Sequence, residues 1–163
     1  MKGIYYLGSM YIKKTDVINV TDPCYDDDTW CTAKLDKFKE GWYEAYVYLK
    51  QERVMSLRIV HRSFAKQHKN IKPTVVIHDI GVDSGLCGIF IDKPDYKDEQ
   101  WQEICNILEK LEHPIKVITN KNGPFECTGI VTSSGYGDGI YCTKLDVDAE
   151  GLIYFCEIDY GGE

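Results

Sequence analysis

The sequence lacks any apolar run close to the about 20 residues that a membrane-spanning helix requires. Its first residues, MKGIYYLGSMYIKK, contain no uninterrupted apolar segment followed by a small-residue cleavage site, so we expect no signal peptide. Both absences predict a soluble, cytoplasmic protein. The 163 residues contain no repeat, linker or low-complexity tract, which predicts a single domain spanning residues 1–163.

A basic stripe is also missing. The chain has 19 Lys and Arg against 26 Asp and Glu, a formal net charge of −7, and its acidic residues cluster at 26–28 and 95–99. Binding to the phosphate backbone of DNA or RNA therefore lacks its electrostatic footprint, and we expect no long nucleic acid as partner. A small anionic ligand stays open, because backbone amides and a few local cations can bind it against an unfavourable mean field.

No CxxC motif occurs among the seven cysteines, and the number is odd. The closest pair, Cys24 and Cys31, has no second pair or histidine pair with which to complete a zinc site. We therefore expect reduced and mostly buried cysteines, no structural metal and no cofactor. The seven are Cys24, Cys31, Cys87, Cys105, Cys127, Cys142 and Cys156.

Alternation of β-branched and aromatic residues predicts strands along most of the chain. In WYEAYVYL, residues 42–49, Ala45, Val47 and Leu49 share the face that we expect to contact the core. Gln51 and Glu52 then form a predicted hairpin turn. The predicted strands are 16–21, 42–49, 53–61, 74–80, 86–92, 115–119, 125–133, 139–147 and 152–160, with a connection at 64–73 and a glycine-containing break at 81–85.

One amphipathic helix is predicted over residues 98–112, DEQWQEICNILEKLE, with Asp98 as its N-cap and His113-Pro114 as its stop. Its apolar stripe follows the i, i+3, i+4 spacing. The stripe consists of Trp101, Ile104, Cys105, Leu108 and Leu111. The predicted fold class is therefore α+β, mostly antiparallel β, as a sandwich or a strongly curved sheet with this one helix.

The stretch DPCY, residues 22–25, resembles the DPPY-type loop in which amino-methyltransferases hold an amine. That fold also requires an earlier strand followed by a glycine-rich loop, within an alternating βα pattern. Too few residues precede DPCY for this arrangement, and the pattern after it is antiparallel. We therefore favour an Asp-Pro turn in which the Asp22 carboxylate caps the following amides.

DVDAEGLIYFCE, residues 146–157, fits the calcium loop D-x-[DN]-x-[DN]-G-x5-E except that Glu150 replaces the third Asp or Asn. Such a loop joins two helices, whereas both flanks here have glycines or β alternation. We therefore predict a hairpin turn over residues 148–151, in which Gly151 supplies the positive φ and Glu157 belongs to a strand.

A hydrolase is an alternative, although no G-x-S-x-G turn is present. Adjacent strand residues such as His78 and Asp79 would point to opposite faces and pair poorly. The main enzymatic alternative is a metal-assisted hydrolase that uses Asp22, Asp83 and Asp138 with His61 or His78. The other candidate bases and nucleophiles are His68, His113, Ser84, Ser133 and Ser134. A further alternative is an inhibitor or immunity module whose acidic surface contacts a basic protein.

Two segments place glycine beside serine and aspartate between apolar strands: VDSGLCG at 82–88 and SSGYGDG at 133–139. Glycines let consecutive amides point into one concavity, which suits a phosphate or carboxylate. Each segment alone is also typical of a tight turn or bulge that needs positive φ. Both together, with DPCY and the DTWC segment at 28–31, favour a shared ligand site.

The same segments resemble an uncharacterised family of small bacterial and phage-encoded proteins. The resemblance rests on VTDPCY at 20–25, DTWC at 28–31, VDSG at 82–85 and SSGYGDG-x-Y at 133–141. A larger domain-of-unknown-function family shares the V-D-S/A-G turn and a C-terminal G-W/Y-G-D-G-x-Y hairpin. The resemblance implies a common fold, a common site and a prokaryotic or phage cytosolic setting, with no activity to carry over.

We therefore predict a non-enzymatic binding protein that encloses a small polar or nucleotide-like ligand, with homo-oligomerisation left open. Serine and glycine residues would donate hydrogen bonds, aromatic rings would cover the ligand, and aspartates would accept from it. In a phage setting, such a protein would sequester a host defence signal. The predicted ligand-binding residues are Asp22, Tyr25, Trp30, Asp83, Ser84, Gly85, Ser133, Ser134, Gly135, Tyr136, Gly137, Asp138 and Tyr141.

Overall fold

A computed structural model describes residues 2–111, 115–119 and 127–161. Within these ranges the chain forms eleven strands, one α-helix and one 3₁₀ helix. The strands are β1 (Lys2–Ile12), β2 (Ile18–Thr21), β3 (Ala33–Leu35), β4 (Gly41–Lys50), β5 (Arg53–His61), β6 (Val75–Val82), β7 (Leu86–Ile91), β8 (Ile115–Thr119), β9 (Thr128–Ser133), β10 (Gly139–Val147) and β11 (Ile153–Asp159). The helix α1 spans Glu99–Glu109, and the 3₁₀ helix spans Arg62–Asn70.

The strands form two sheets. The first sheet has the order β1-β4-β5-β11-β10-β6, and the second has the order β3-β2-β7-β9-β8. Neighbouring strands within each sheet are antiparallel. The predicted α+β class with mostly antiparallel β structure is confirmed.

The two sheets share one hydrophobic core. Val47 and Leu57 enter it from the first sheet, and Ile89 and Ile130 enter it from the second. Ala45 and Val47 are fully buried, as the alternation in β4 predicts. Because burial of each such aliphatic side chain contributes roughly 1.5–3 kcal/mol, this shared core holds the sheets face to face.

Helix α1 covers the other face of the second sheet. Trp101, Cys105 and Leu108 lie on its inner side and pack against Phe90 of β7 and Val131 of β9. This second apolar cluster explains the amphipathic stripe, because the same residues recur once per turn along the helix. No helix in the described part of the chain is both long and apolar enough to cross a membrane.

The predicted cap of α1 is confirmed. The Asp98 carboxylate accepts hydrogen bonds from the amides of Gln100 at 2.9 Å and Trp101 at 3.3 Å. Such a cap satisfies amides that have no partner within the helix. The helix ends at Glu109, before the predicted end, and residues 112–114, including the predicted stop at His113 and Pro114, lie outside the described residues.

The predicted connection over residues 64–73 does join β5 to β6, but it contains a 3₁₀ helix, Arg62–Asn70, that was not predicted. The side chain of His61 accepts a hydrogen bond from an amide of its first turn. Phe64 packs on Tyr154 of the first sheet with ring centroids 4.1 Å apart. This contact, the stacking of Tyr46 on His68 and the cap thus support a helix for which the sequence has no apolar period.

Two strands were not predicted. In β1 the pairing with β4 shifts in register between Tyr6 and Gly8, which interrupts the alternation that marks a strand. Strand β3 has only three residues. The predicted break at 81–85 is too long, since Gly81 and Val82 still belong to β6. The bounds of β8 and β10 agree with the prediction, while residues 125 and 126 of the predicted strand 125–133 lie outside the described part.

Candidate functional site

Two loops carry the chain between the sheets at one place in the fold. Residues 83–85, the first crossing loop, connect β6 to β7. Residues 134–138, the second crossing loop, connect β9 to β10. The amide of Ser134 donates to the carbonyl of Gly85 at 3.0 Å, so the two loops lie side by side. The two glycine segments that the sequence paired are therefore neighbours in space.

Asp22 anchors the first crossing loop. Its side chain is fully buried, and its Oδ2 accepts from the amides of Asp83 and Ser84, both at 2.8 Å. Its Oδ1 accepts from the Ser84 hydroxyl at 2.7 Å and from the amide of Cys24 at 2.8 Å. The predicted capping turn is thus present. The amides of Asp83 and Ser84, which could have held a ligand's phosphate, are occupied by this carboxylate.

The DPCY turn is fixed on helix α1. The carbonyl of Pro23 accepts from the indole of Trp101 at 2.8 Å and from the Cys105 thiol at 3.4 Å. The Cys24 thiol donates to the Glu109 carboxylate at 3.0 Å. The hydrogen bond to Cys105, burial and the hydrogen bond to Glu109 raise the pKa of Cys24. Cys24 therefore carries a protonated thiol rather than a nucleophilic thiolate.

These elements border an open recess of about 300 Å³, which we call the acidic cleft. The Tyr25 hydroxyl donates to Asp83 Oδ2 at 3.1 Å, and burial followed by hydrogen bonds to Cys31 and Asp83 raises the pKa of Tyr25. Among the described residues, neither Asp83 nor Glu109 forms an ion pair with Lys, Arg or His. The cleft is lined by Asp22, Cys24, Tyr25, Asp83, Ser84 and Glu109.

The second crossing loop is held through its carbonyls. The carbonyl of Gly137 accepts from the buried Ser134 hydroxyl at 2.6 Å and from the Tyr141 hydroxyl at 2.7 Å. Gly135 has a φ of +68°, and a Cβ on it would lie 2.6 Å from the carbonyl oxygen of Val54. The close approach to β5 and the left-handed backbone both require glycine at position 135.

A second recess, the basic pocket, lies where the second crossing loop meets the β4–β5 hairpin. It has a volume of about 170 Å³. The Arg53 guanidinium lies 4.6 Å from the centroid of the Tyr136 ring, and its Nη1 donates to the carbonyl of Gly135 at 3.3 Å. The lining residues are Lys50, Gln51, Arg53, Met55, Tyr136 and Gly161.

A third recess, the outer groove, has a volume of about 380 Å³ beside β6 and β10. Asp79 has a φ of +68° there, and the backbone of His78 and Asp79 lies opposite the single residue Cys142. This bulge interrupts the alternation from which we expected positions 78 and 79 to face opposite sides. The side chain of His78 lies outside the described part. The groove is lined by Asp79, Ile140, Tyr141, Cys142, Asp159, Tyr160 and Gly161.

The predicted ligand-binding residues thus separate into groups. Four line the acidic cleft: Asp22, Tyr25, Asp83 and Ser84. Tyr136 lines the basic pocket and Tyr141 the outer groove, whereas Ser134, Gly135 and Gly137 shape the second crossing loop and Gly85 contacts it. Ser133 is a partly buried residue of β9, and Trp30 and Asp138 are exposed and line none of the three recesses.

Of the hydrolase alternative's residues, Asp22 and Asp83 share the acidic cleft, whereas Asp138 lines none of the three recesses. Within residues 2–111, 115–119 and 127–161, no group of three or more His, Cys, Asp and Glu lies close enough together to hold a metal ion. His61 has its ring nitrogens 2.7 Å from the Ser63 hydroxyl and 2.9 Å from the carbonyl of Glu40. His61 is thus occupied in capping the 3₁₀ helix. His113 lies outside the described ranges.

The calcium-like segment is a hairpin, as predicted. The carboxylate of Asp148 accepts from the amides of Glu150 at 2.9 Å and Leu152 at 3.0 Å, and Gly151 has a φ of +80°. Glu157 lies in β11 and pairs with Arg58 at 2.5 Å. The carboxylates that a calcium loop would gather on one ion therefore belong to a turn and to a sheet face.

Several lining residues were not predicted from sequence. Lys50 and Arg53 flank the hairpin turn that the sequence does indicate, so a basic residue on each side of it was an available signal. Glu109 is different, because no pattern in the helix indicates that its end packs over the DPCY turn. Comparison of the chain with protein-family models, with curated proteins and with solved structures gave no match.

Proposed function

We propose that this chain is a non-enzymatic binding protein that takes a small, hydrogen-bond-donating ligand into the acidic cleft. The proposal rests on Asp83 and Glu109, two exposed carboxylates that line one recess of about 300 Å³ and have no cationic partner among the described residues. Such carboxylates favour ligand groups that donate, namely ammonium, amino or hydroxyl groups.

Asp22 strengthens this preference without contacting the ligand. Its four hydrogen bonds come from uncharged groups, so its negative charge adds to the field of the cleft while its oxygens are already occupied. The same bonds fix the cleft walls before any ligand binds, which lowers the entropic cost of binding. A phosphate is disfavoured here, and the amino and hydroxyl groups of a nucleoside-like ligand or an amine suit the cleft better.

Tyr25 forms an aromatic wall beside these acceptors. Its hydroxyl is held by Asp83 at 3.1 Å, which fixes the ring without a ligand. An aromatic ring next to a carboxylate suits a ligand that has an apolar or planar face and a donating edge. The metal-assisted alternative has no comparable support, because no group of three metal-ligating side chains lies together in the part of the chain that the structure describes.

The test begins with mass spectrometry of small molecules released by denaturing freshly purified protein. A thermal-shift panel of amines, nucleosides and mono-, di- and cyclic nucleotides then measures binding. We expect a ligand to raise the Tm of the native chain and of Asp36→Asn, an exposed acid outside the cleft. Asp83→Asn and Glu109→Gln should each weaken binding by about tenfold.

The proposal fails if no small molecule is released and no member of the panel changes the melting curve. It also fails if Asp36→Asn weakens binding as much as Asp83→Asn, because general electrostatics rather than the cleft would then explain it. The role of sequestering a host defence signal rests on the family resemblance and stays a prediction. The alternative of an inhibitor or immunity module also stays a prediction.

A further inference from the structure

We propose that the basic pocket is a second binding site, which takes the phosphate group of a small phosphate monoester. It is separate in position and opposite in charge from the acidic cleft, so it does not depend on the proposed function. Among the described residues, the charged side chains that line it are those of Lys50 and Arg53, and none of the lining residues is a carboxylate. In a chain with a net charge of −7, a recess whose charged lining residues are both cationic is a local reversal of the field.

Arg53 retains the hydrogen-bonding capacity that a phosphate would use. One nitrogen, Nη1, donates to the carbonyl of Gly135 at 3.3 Å, and the Cζ atom lies 4.6 Å from the Tyr136 ring centroid. Among the described residues no carboxylate pairs with Arg53. A guanidinium that is oriented by a carbonyl and a ring, with donors remaining, is suited to bidentate contact with phosphate oxygens.

The second crossing loop contacts Arg53 through the carbonyl of Gly135, so its backbone lies near this cation. In the second crossing loop, the amides of residues 135–138 have no hydrogen-bond partner among the described residues, whereas the carbonyls of Gly135 and Gly137 both have one. Gly135 and Gly137 have φ values of +68° and +94°. Consecutive amides without partners, in left-handed backbone beside a guanidinium, form a set of donors suited to an anion.

The hairpin turn that carries Lys50 and Arg53 is strained. Gln51 and Glu52 have φ values of 51° and 64°, a left-handed conformation that two-residue hairpins usually give to Asn-Gly. Gln51 nevertheless lines the pocket. A chain that keeps two side chains in strained backbone at the edge of a recess is consistent with a use for those side chains.

The pocket is also preformed. The amide of Tyr160 donates to the carbonyl of Met55 at 2.9 Å, which ties the C-terminal wall to β5. Gly135 packs against the carbonyl of Val54, which holds the second crossing loop on the same strand. The exposed ring of Tyr136, at 62% exposure, stands at the mouth and can stack on a planar group that the phosphate carries.

The experiment is calorimetric titration of the full chain with inorganic phosphate, adenosine 5′-monophosphate and adenosine. Arg53→Gln and Lys50→Gln should each raise the Kd for inorganic phosphate by about tenfold. Lys66→Gln removes the same charge from an exposed position in the 3₁₀ helix and should leave the Kd within about twofold. Arg53→Lys keeps the charge but loses the planar group, so its Kd should lie between those of the native chain and Arg53→Gln.

Further arms separate the phosphate from the ring. Tyr136→Ala should weaken binding of adenosine 5′-monophosphate but not of inorganic phosphate, and Asp83→Asn should change neither. The proposal is overturned if inorganic phosphate shows a Kd above about 10 mM at low salt. It is also overturned if Lys66→Gln weakens binding as much as Arg53→Gln, or if adenosine binds as tightly as its monophosphate. A circular dichroism spectrum confirms that each variant is folded.

Discussion

The two crossing loops perform the same structural task, but side chains bond the amides of one and the carbonyls of the other. Both carry the chain between the sheets, and both place glycine beside serine and aspartate. In the first crossing loop the amides of Asp83 and Ser84 are bonded to the buried Asp22 carboxylate, so acids remain at the surface. In the second crossing loop, the carbonyls of Gly135 and Gly137 accept hydrogen bonds from side chains, and the amides of residues 135–138 have no partner among the described residues.

A single buried residue accounts for much of this difference. Without Asp22, the first crossing loop would also present amides, and a glycine-rich composition would predict an anion site in both places. With Asp22, the loop forms part of an acidic cleft. Glycine and serine content therefore indicates where a loop can approach a ligand, while the partner of its amides decides which charge the ligand has.

The largest effect is expected from Asp22→Ala. It leaves the amides of Asp83, Ser84 and Cys24 and the Ser84 hydroxyl without their acceptor in a buried position. Loss of such a buried acceptor should lower the free energy of unfolding by about 3 kcal/mol. Urea denaturation measures this as a lower midpoint with an unchanged slope.

Asp138→Ala is the matched control, since Asp138 is an exposed aspartate of the second crossing loop. Its free energy of unfolding should stay within about 0.5 kcal/mol of the native value. Asp22→Asn keeps an acceptor oxygen but loses the charge, so its loss of unfolding free energy should lie between those of Asp22→Ala and Asp138→Ala. Equal stability of Asp22→Ala and Asp138→Ala would contradict the anchoring role of Asp22.

A second effect distinguishes two glycines within one loop. Gly135→Ala adds a Cβ at 2.6 Å from the carbonyl oxygen of Val54 in addition to a left-handed φ of +68°. Gly137→Ala has a φ of +94° but no atom within 4 Å of its Cβ. We expect losses of about 2–3 kcal/mol at position 135 and about 1 kcal/mol at position 137 in the same urea experiment.

Equal losses at the two positions would mean that backbone conformation alone, and not the contact with β5, decides the cost. The carbonyl of Gly135 also orients the Arg53 guanidinium of the basic pocket. Gly135→Ala should therefore weaken phosphate binding more than Gly137→Ala. Backbone strain is common to both variants and would not by itself produce this difference.

Strong local patterns predicted most elements of this fold. The alternation in β4 and the apolar stripe of α1 each reflect a face that is buried against one neighbour, so the period survives in the sequence. In β1 a register shift after Tyr6 breaks the period, and the 3₁₀ helix at Arg62–Asn70 depends on contacts with distant strands. Neither feature leaves a local pattern to be recognised.

The candidate site was predictable in its parts but not in its chemistry. The proximity of the two crossing loops and the capping turn at Asp22 followed from glycine and Asp-Pro signals. The second and third bonds of Asp22, to the amides of Asp83 and Ser84, join residues about sixty positions apart. Contacts between residues so far apart depend on strand order, which the sequence does not show. The sequence therefore suggested an anionic ligand at the first crossing loop, where the structure has the Asp22 carboxylate instead.

A third effect compares the two loop serines. The Ser84 hydroxyl donates to a carboxylate at 2.7 Å, and the Ser134 hydroxyl donates to the neutral carbonyl of Gly137 at 2.6 Å. Hydrogen bonds to charged groups are stronger than those to neutral groups. Ser84→Ala should therefore lower the free energy of unfolding by about 1.5–2 kcal/mol, and Ser134→Ala should lower it by about 1 kcal/mol. Thermal unfolding shows which of the two variants is less stable. A larger loss for Ser134→Ala would contradict the idea that only the first crossing loop is anchored by a charged group.

The smallest effect has the opposite sign. Replacing the strained hairpin residues together, as Gln51→Asn with Glu52→Gly, gives the β4–β5 turn the residues that tolerate φ values of 51° and 64°. The free energy of unfolding should rise by about 0.5–1 kcal/mol, measured as a higher urea midpoint. Phosphate binding should weaken at the same time, because Gln51 lines the basic pocket. A double variant that is more stable and binds phosphate as tightly as the native chain would indicate that the hairpin strain does not support phosphate binding. The two crossing loops would then differ only in that Asp22 anchors the first of them.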